Sequence, residues 1–452
     1  MLNERLKNVA VLGAAGKMGR GISLLLLQEM ARTELETTGS LGNGYYQLYL
    51  IDSHRDALNG LKHYLEAQLT RYAEKMINPL RKYYSHNRSL IDNVDIIRDF
   101  VSGAMDIAHI HTNVHNANDA SMVFEAIVED FDVKTEVFRT LKEICNEDTF
   151  FFTNTSSIPI REINKSADLN NRIIGYHFYN PPAIQKLVEV ISPENVNSDL
   201  HDIAMELGKR LGKTLVPSKD IAGFIGNGHF LREIIFACEK VRELSLDYSQ
   251  EEAIYIVNQV TQDFMIRPMG TFQLVDYVGL EVFLKIYDVM GKHLDDIDFD
   301  CSLIKEMIES GIKGGQNADG SQKNGFFSYD NGRMTGIFKI KSNEYQTLTD
   351  DNWQELTKKK LGDLPDGHFP WKTLLKDRQK GGKLSIYFQN LSQSNNFGAE
   401  LAKSFLAKSE EIATKLVSDG VAKNFDDINT ILKNGFGHLY DANNAFREEV
   451  KL

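Results

Sequence analysis

The segments NTSSIPI (residues 154–160) and IIGYHFYNPPAIQKLVEVI (173–191) bring a serine pair, one histidine and one glutamate into a short stretch, with Glu189 following His177 by twelve residues. A neutral imidazole whose pKa lies near working pH can take the hydroxyl proton of a secondary alcohol while hydride leaves the same carbon. A carboxylate on the other ring nitrogen fixes the tautomer and stabilises the imidazolium. Alone, His177 reads more readily as a packed histidine. The pair gains weight from what accompanies it.

Upstream, the sequence GAAGKMG sits where an apolar run meets a helical pattern, which is the context of a dinucleotide-binding turn. Its glycines let the backbone approach a pyrophosphate, and the helix N-terminus turns free N–H groups and a positive dipole end toward it. Gly13, Gly16, Lys17, Met18 and Gly19 are therefore the cofactor candidates of this turn. The spacing is GxxGxxG, one residue longer than the usual GxGxxG, and the structural alternative is a tight turn without ligand. Asp52 closes the next apolar run and is placed to accept hydrogen bonds from the adenosine ribose, which favours NAD over its 2′-phosphorylated form. It arrives 39 residues after Gly13, where roughly 20 is usual. The excess is assigned to an extended loop over 31–47, ARTELETTGSLGNGYYQ. Arg55 nearby opposes the preference, because it offers a partner for a phosphate, and a helix N-cap is the structural alternative for Asp52.

The elements that must position these residues follow from periodicity. Residues 9–12, 47–51, 122–128, 150–153 and 172–176 read as buried strands. Helices are expected over 18–30, 55–84 and 134–144, so strands alternate with helices as in a doubly wound sheet. After about residue 200 the texture becomes helical, over 221–244, 249–262 and 274–290, then again over 384–452. The Gly-, Ser- and Asn-rich stretch 314–325 separates the two helical parts. A helix–turn–helix at 238–280 has a weak echo in 411–442, ending in Gly435, Phe436 and Gly437. The expected organisation is an α/β Rossmann-type domain over 1–216 and all-α domains over 217–330 and 331–452, the last a degenerate copy.

Composition narrows the function classes. With 51 basic against 63 acidic residues the formal charge is −12, which argues against nucleic acid or an anionic membrane as partner. Cys145, Cys238 and Cys301 are far apart and lack ligand spacing, so no metal site is expected and a reducing, cytoplasmic setting suits the chain. The opening residues run into a strand at once, so no leader is expected.

Several motifs now agree in order. EAIVEDFDVK (125–134), FTNTSS (152–157), HFYNPP (177–182), KLVEVI (186–191), KDIAGFIGN (219–227) and MGTFQLVDYVGLEV (269–282) resemble segments of the 3-hydroxyacyl-CoA dehydrogenase family, and KNGFFSY (323–329) is similar to its closing pattern. The resemblance implies His177 as acid/base, Glu189 as its orienting partner, and Ser156 and Asn227 as contacts to substrate oxygens. It implies Glu129, Lys134 and Asn154 on the cofactor side, Asp52 at the ribose, and Lys75 near the CoA moiety. Turn caps, an exposed helix-start pair and a solvated lysine are the structural alternatives.

The implied activity is NAD-dependent oxidation of an acyl-CoA thioester, as in fatty-acid β-oxidation, in a cleft between sheet and helical domain. No hydratase-like domain is expected before the dinucleotide unit. The degenerate copy either replaces a subunit interface or reinforces one in a homodimer. A dehydrogenase of a free hydroxy acid or sugar acid, and a non-catalytic oligomeric scaffold, are the rival readings.

Overall fold

A computed structural model describes residues 1–87, 89–90, 92–296, 301–317, 320–349 and 353–443, in two compact units, Met1–Asp220 and Ile221–Leu452. In the first unit, the described residues form an eight-stranded sheet. Its strands are β1 (Asn8–Leu12), β2 (Gln47–Ile51), β3 (Ala108–His111), β4 (Met122–Glu125), β5 (Phe150–Thr153), β6 (Ile173–Phe178), β7 (Leu187–Ile191) and β8 (Thr214–Ser218), in the spatial order β3-β2-β1-β4-β5-β6-β7-β8. Neighbours are parallel except β6 and β7, which are antiparallel. Every residue of β4, β5, β6 and β7 is buried, because helices cover a doubly wound sheet on both faces and its strands read as continuous apolar runs. The rings of Phe124 and Phe152 stack at 4.4 Å between centroids, and Tyr176 meets Phe152 edge-on at 5.5 Å. Burying such side chains supplies about 1.5–3 kcal/mol each.

In the first unit several boundaries differ from the sequence reading, three of them for a clear local reason. The extended loop expected over 31–47 begins as helix, since the first long helix runs Gly19–Thr38 and stops at Gly39, whose φ of 77° is a left-handed cap. Its polar second half is held by hydroxyls bonded back along the helix, Thr33 to the Glu29 carbonyl at 2.8 Å and Thr37 to the Thr33 carbonyl at 2.7 Å. Arg32 adds ion pairs to Glu29 and Glu36. Two extra helical turns, followed by a short connection, therefore account for the late arrival of Asp52. The helix expected over 55–84 breaks into Arg55–Lys75 and Ile77–Tyr83. Pro79 is the cause: it has no N–H and its ring crowds the carbonyl four residues earlier. Strand β4 ends at Glu125 because the Ile127 N–H turns to the Glu125 carboxylate at 2.8 Å.

The second unit is built on the helices Gly226–Leu244, Gln250–Gln259, Thr271–Val278 and Leu280–His293. Gly279, at φ 104°, breaks the helix expected over 274–290. Ser249 and Glu252 form a capping box at the start of the second helix. The helices Lys380–Gln393, Phe397–Ser418 and Phe425–Gly435 make up the tail; its last nine residues, 444–452, lie outside the described ones. One hydrophobic core runs from Ala222 to Tyr440 and draws on both parts. Tyr387 and Tyr440 donate hydrogen bonds to the carbonyls of Phe264 and Met265, each at 2.7 Å.

Absent from the sequence reading is a small antiparallel sheet, β9 (Phe327–Asp330), β10 (Arg333–Lys339) and β11 (Glu344–Thr347), in the order β11-β10-β9. Asn331 and Gly332, both with positive φ, make its first turn. An Asn-Gly pair between alternating residues is a strong hairpin signal.

Candidate active site

Because β7 runs back against β6, His177 and Glu189 are register partners on adjacent strands. The His177 Nδ1 lies 3.1 Å from the Glu189 Oε2. Glu189 is fully buried and His177 is 9% exposed. With Nδ1 turned to the carboxylate, the neutral tautomer leaves Nε2 as the proton acceptor. The turn between the strands is anchored by Lys213, whose Nζ donates to the carbonyls of Pro182 at 2.5 Å and Gln185 at 2.7 Å. Burial pulls the Lys213 ammonium down to about 8.

A second cluster gathers at the ends of β4 and β5. Lys134, in the first turn of the helix Phe131–Ile144, is 1% exposed and is not the solvated helix-start residue weighed above. Its Nζ reaches Glu125 at 2.6 Å and Glu129 at 3.5 Å. Burial pulls Lys134 down, but the two carboxylates outweigh it and hold the group above the ordinary lysine range. The Glu129 Oε1 accepts from the Thr155 hydroxyl at 2.7 Å, from the Ser156 N–H at 2.9 Å and from the Ser157 hydroxyl at 3.0 Å. Burial pushes Glu129 up, while Lys134 and these donors outweigh it and keep its pKa low. The Asn154 Oδ1 accepts from the Phe178 N–H at 2.8 Å, tying the end of β5 to the strand that carries His177.

The glycine turn is as tight as its sequence implies. A Cβ at Gly19 would lie 1.9 Å from the Gly13 carbonyl oxygen, and one at Gly13, where φ is 70°, would lie 2.5 Å from the Ala126 carbonyl oxygen. The following helix starts at Gly19, directly after the turn, and a helix N-terminus is where a phosphate binds readily. The Ala15 N–H donates to the Asp52 Oδ2 at 3.2 Å and the His54 N–H donates to Oδ1 at 3.2 Å. The lengthened turn thus closes against the acid at the end of β2. Glycine cradle, helix start and carboxylate fit a dinucleotide.

Three more candidates lie on helices outside this sheet. Lys75 is exposed at the end of its helix, and Arg55 is exposed at the start of the same one. Asn227 is the second residue of the helix Gly226–Leu244 in the other unit. Two residues were missed. Glu125 takes the shorter of the two Lys134 contacts and also accepts from the Thr153 hydroxyl at 2.6 Å; a lone acid ending an apolar strand was its signal. Tyr179 donates from its hydroxyl to the Glu189 Oε2 at 2.9 Å, and its place two residues after His177 was the signal. Among the described residues no helix is long and apolar enough to cross a membrane, and no group of three His, Cys, Asp or Glu stands ready to hold a metal.

Comparison with known proteins gives one family for both parts of the chain. The family model described as 3-hydroxyacyl-CoA dehydrogenase, NAD binding domain, matches residues 8–221, and the C-terminal domain model of the same enzyme matches 223–324. A probable 3-hydroxybutyryl-CoA dehydrogenase of Bacillus subtilis is 32% identical over 326 residues, covering 72% of this chain and 98% of its own. Human hydroxyacyl-coenzyme A dehydrogenase, mitochondrial, is 30% identical over 282 residues, covering 62% and 79%. The crystal structure of 3-hydroxybutyryl-CoA dehydrogenase from Escherichia coli K12 shares the fold, with a TM-score of 0.62 at 20% identity, over 98% of this chain and 92% of that one. The protein is an oxidoreductase with NAD as cofactor. The chain belongs to the 3-hydroxyacyl-CoA dehydrogenase family.

Proposed function

We propose that this chain reversibly oxidises the 3-hydroxyl of L-3-hydroxyacyl-CoA thioesters, with His177 taking the hydroxyl proton at Nε2 and Glu189 holding the imidazole through Nδ1. The observation that carries the reading is the 3.1 Å contact between the His177 Nδ1 and a fully buried Glu189 carboxylate. An imidazolium formed on proton uptake is stabilised by that charge. NAD, when bound, supplies the hydride acceptor. Gly13, Gly16, Lys17, Met18 and Gly19 receive the pyrophosphate, Asp52 the ribose, and Glu129, Lys134 and Asn154 face the nicotinamide side. Ser156 and Asn227 contact the substrate oxygens, and Lys75 the CoA moiety.

The test is NADH oxidation by the full chain with acetoacetyl-CoA, beside free acetoacetate and beside NADPH. Turnover of the thioester with NADH is the expected result. Preference for the free acid would support the hydroxy-acid reading instead. A His177→Ala protein that binds NADH but loses turnover supports the acid/base role; one that keeps near wild-type turnover overturns it.

The same reading puts the enzyme in acyl-CoA metabolism of the fatty-acid β-oxidation type, in a reducing cytoplasm that suits three cysteines, Cys145, Cys238 and Cys301, far apart in the sequence. Residues 331–452, helical beyond the strands β10 and β11, serve it as a second, non-catalytic copy, and a homodimer is the expected assembly. Rates across 3-ketoacyl-CoA chain lengths and the mass in solution test these points; inactivity on every acyl chain, or a strict monomer, would refute them.

A further inference from the structure

Alternation along an extended chain puts His177 and Tyr179 on the same side, and their ring centroids are 4.9 Å apart. Both donate to one atom. The His177 Nδ1 stands 3.1 Å and the Tyr179 hydroxyl 2.9 Å from the Glu189 Oε2. Burial, and then the charge on Glu189, push the Tyr179 phenol well above its ordinary range, so it remains a donor at working pH. On the sheet, the residue beside Glu189 on β8 is the apolar Val216, and β5 joins β6 through the uncharged Asn154. Glu189 and Tyr179 are two titratable groups that this part of the sheet brings to the imidazole.

We propose that Tyr179 is a positioning residue that sets the basicity of His177 through Glu189. A second donor on Oε2 shares the carboxylate charge, so the carboxylate pulls less strongly on the imidazolium. The hydroxyl also fixes the direction from which Oε2 can accept the imidazole N–H. Removing it leaves more negative charge facing the ring, and the imidazolium becomes easier to form. The inference rests on the acid/base assignment of His177.

The deciding measurement is kcat/KM for oxidation of 3-hydroxybutyryl-CoA against pH, in the full chain carrying Tyr179→Phe, which keeps the ring and deletes the hydroxyl. The acid limb should move upward by about half to one pH unit, with kcat at neutral pH falling roughly 3- to 10-fold and NADH affinity unchanged. A limb that does not move, whether activity is kept or lost, overturns the proposal, since a packing role would lower activity without displacing the limb. If Tyr179→Phe does not fold, 3-fluorotyrosine at position 179 decides: its stronger-donating hydroxyl should move the limb downward, and an unmoved limb again refutes the role. His177→Ala separates the two readings, because turnover that survives it removes the acid/base assignment irrespective of Tyr179.

Discussion

Each unit buries a histidine beside a glutamate, and the two settings differ in what competes for the carboxylate. In the first unit, the Glu189 Oε2 takes the His177 Nδ1 at 3.1 Å and a tyrosine hydroxyl. In the second, Glu233 is paired with the buried guanidinium of Arg267, and the His229 Nδ1 stands back at 3.8 Å. His229 instead meets the Ser409 hydroxyl through Nε2 at 3.0 Å. Burial pulls its pKa down to about 4. A small cavity of about 30 Å³ touches this network, lined in part by His229, Glu233, Arg267, Thr271 and His438. That volume suits one or two waters. The same residue types therefore leave the carboxylate to the ring in one unit, and in the other form a network in which an arginine claims it.

Breaking the first pair should produce the largest effect. Glu189→Gln keeps the shape but removes the charge that holds the imidazolium, so turnover should fall by about 10²- to 10⁴-fold with the melting temperature changed little; steady-state kinetics and a thermal melt check this, and near wild-type turnover would dissolve the contrast. Arg267→Ala should do the reverse. It leaves Glu233 buried without its guanidinium partner at a cost of about 3–5 kcal/mol, seen in urea unfolding, while activity per folded molecule persists.

A pH series sharpens the comparison further. His229 has a folded pKa of about 4 against roughly 6.5 unfolded, so between these values the unfolded chain binds more protons and stability falls as pH is lowered. His438, held low by burial and then by Arg267 and His229, adds to the same slope. Asp276, pushed up by burial to about 7, contributes the opposite slope as pH rises from its ordinary range. Comparing wild type with His229→Gln isolates the histidine: the variant should lose part of the acid sensitivity between pH 6.5 and 4, and identical unfolding curves would refute it. The smallest effect is expected from Ser409→Ala, which deletes one hydrogen bond worth about 1 kcal/mol; chemical denaturation would detect a larger loss if Ser409 held the network together.

Local pattern carried much of this molecule. Phe150–Thr153 and Gln47–Ile51 are strands as their apolar runs imply, and the glycine turn lies between a strand and a helix. The polar half of the helix Gly19–Thr38 was not legible as helix, because threonines there depend on back-bonds to the helix carbonyls. The β9–β11 sheet carried an Asn-Gly signal that the surrounding helical texture obscured. Glu129 and Lys134 were pointed to by the family resemblance, but the closer partner of Lys134, Glu125, comes from the strand before.

His177 and Glu189 show where the division falls. The sequence by itself determined the residue types, the apolar runs that enclose them and the twelve positions between them. A separation of that length is compatible with many relative placements. Only the tertiary structure decided that β7 turns back antiparallel to β6, which sets the two side chains opposite each other in register and within hydrogen-bond reach. The reason is physical: pairing partners are chosen by the whole sheet's burial and hydrogen bonding, whereas spacing along the chain limits only how far two residues can be apart.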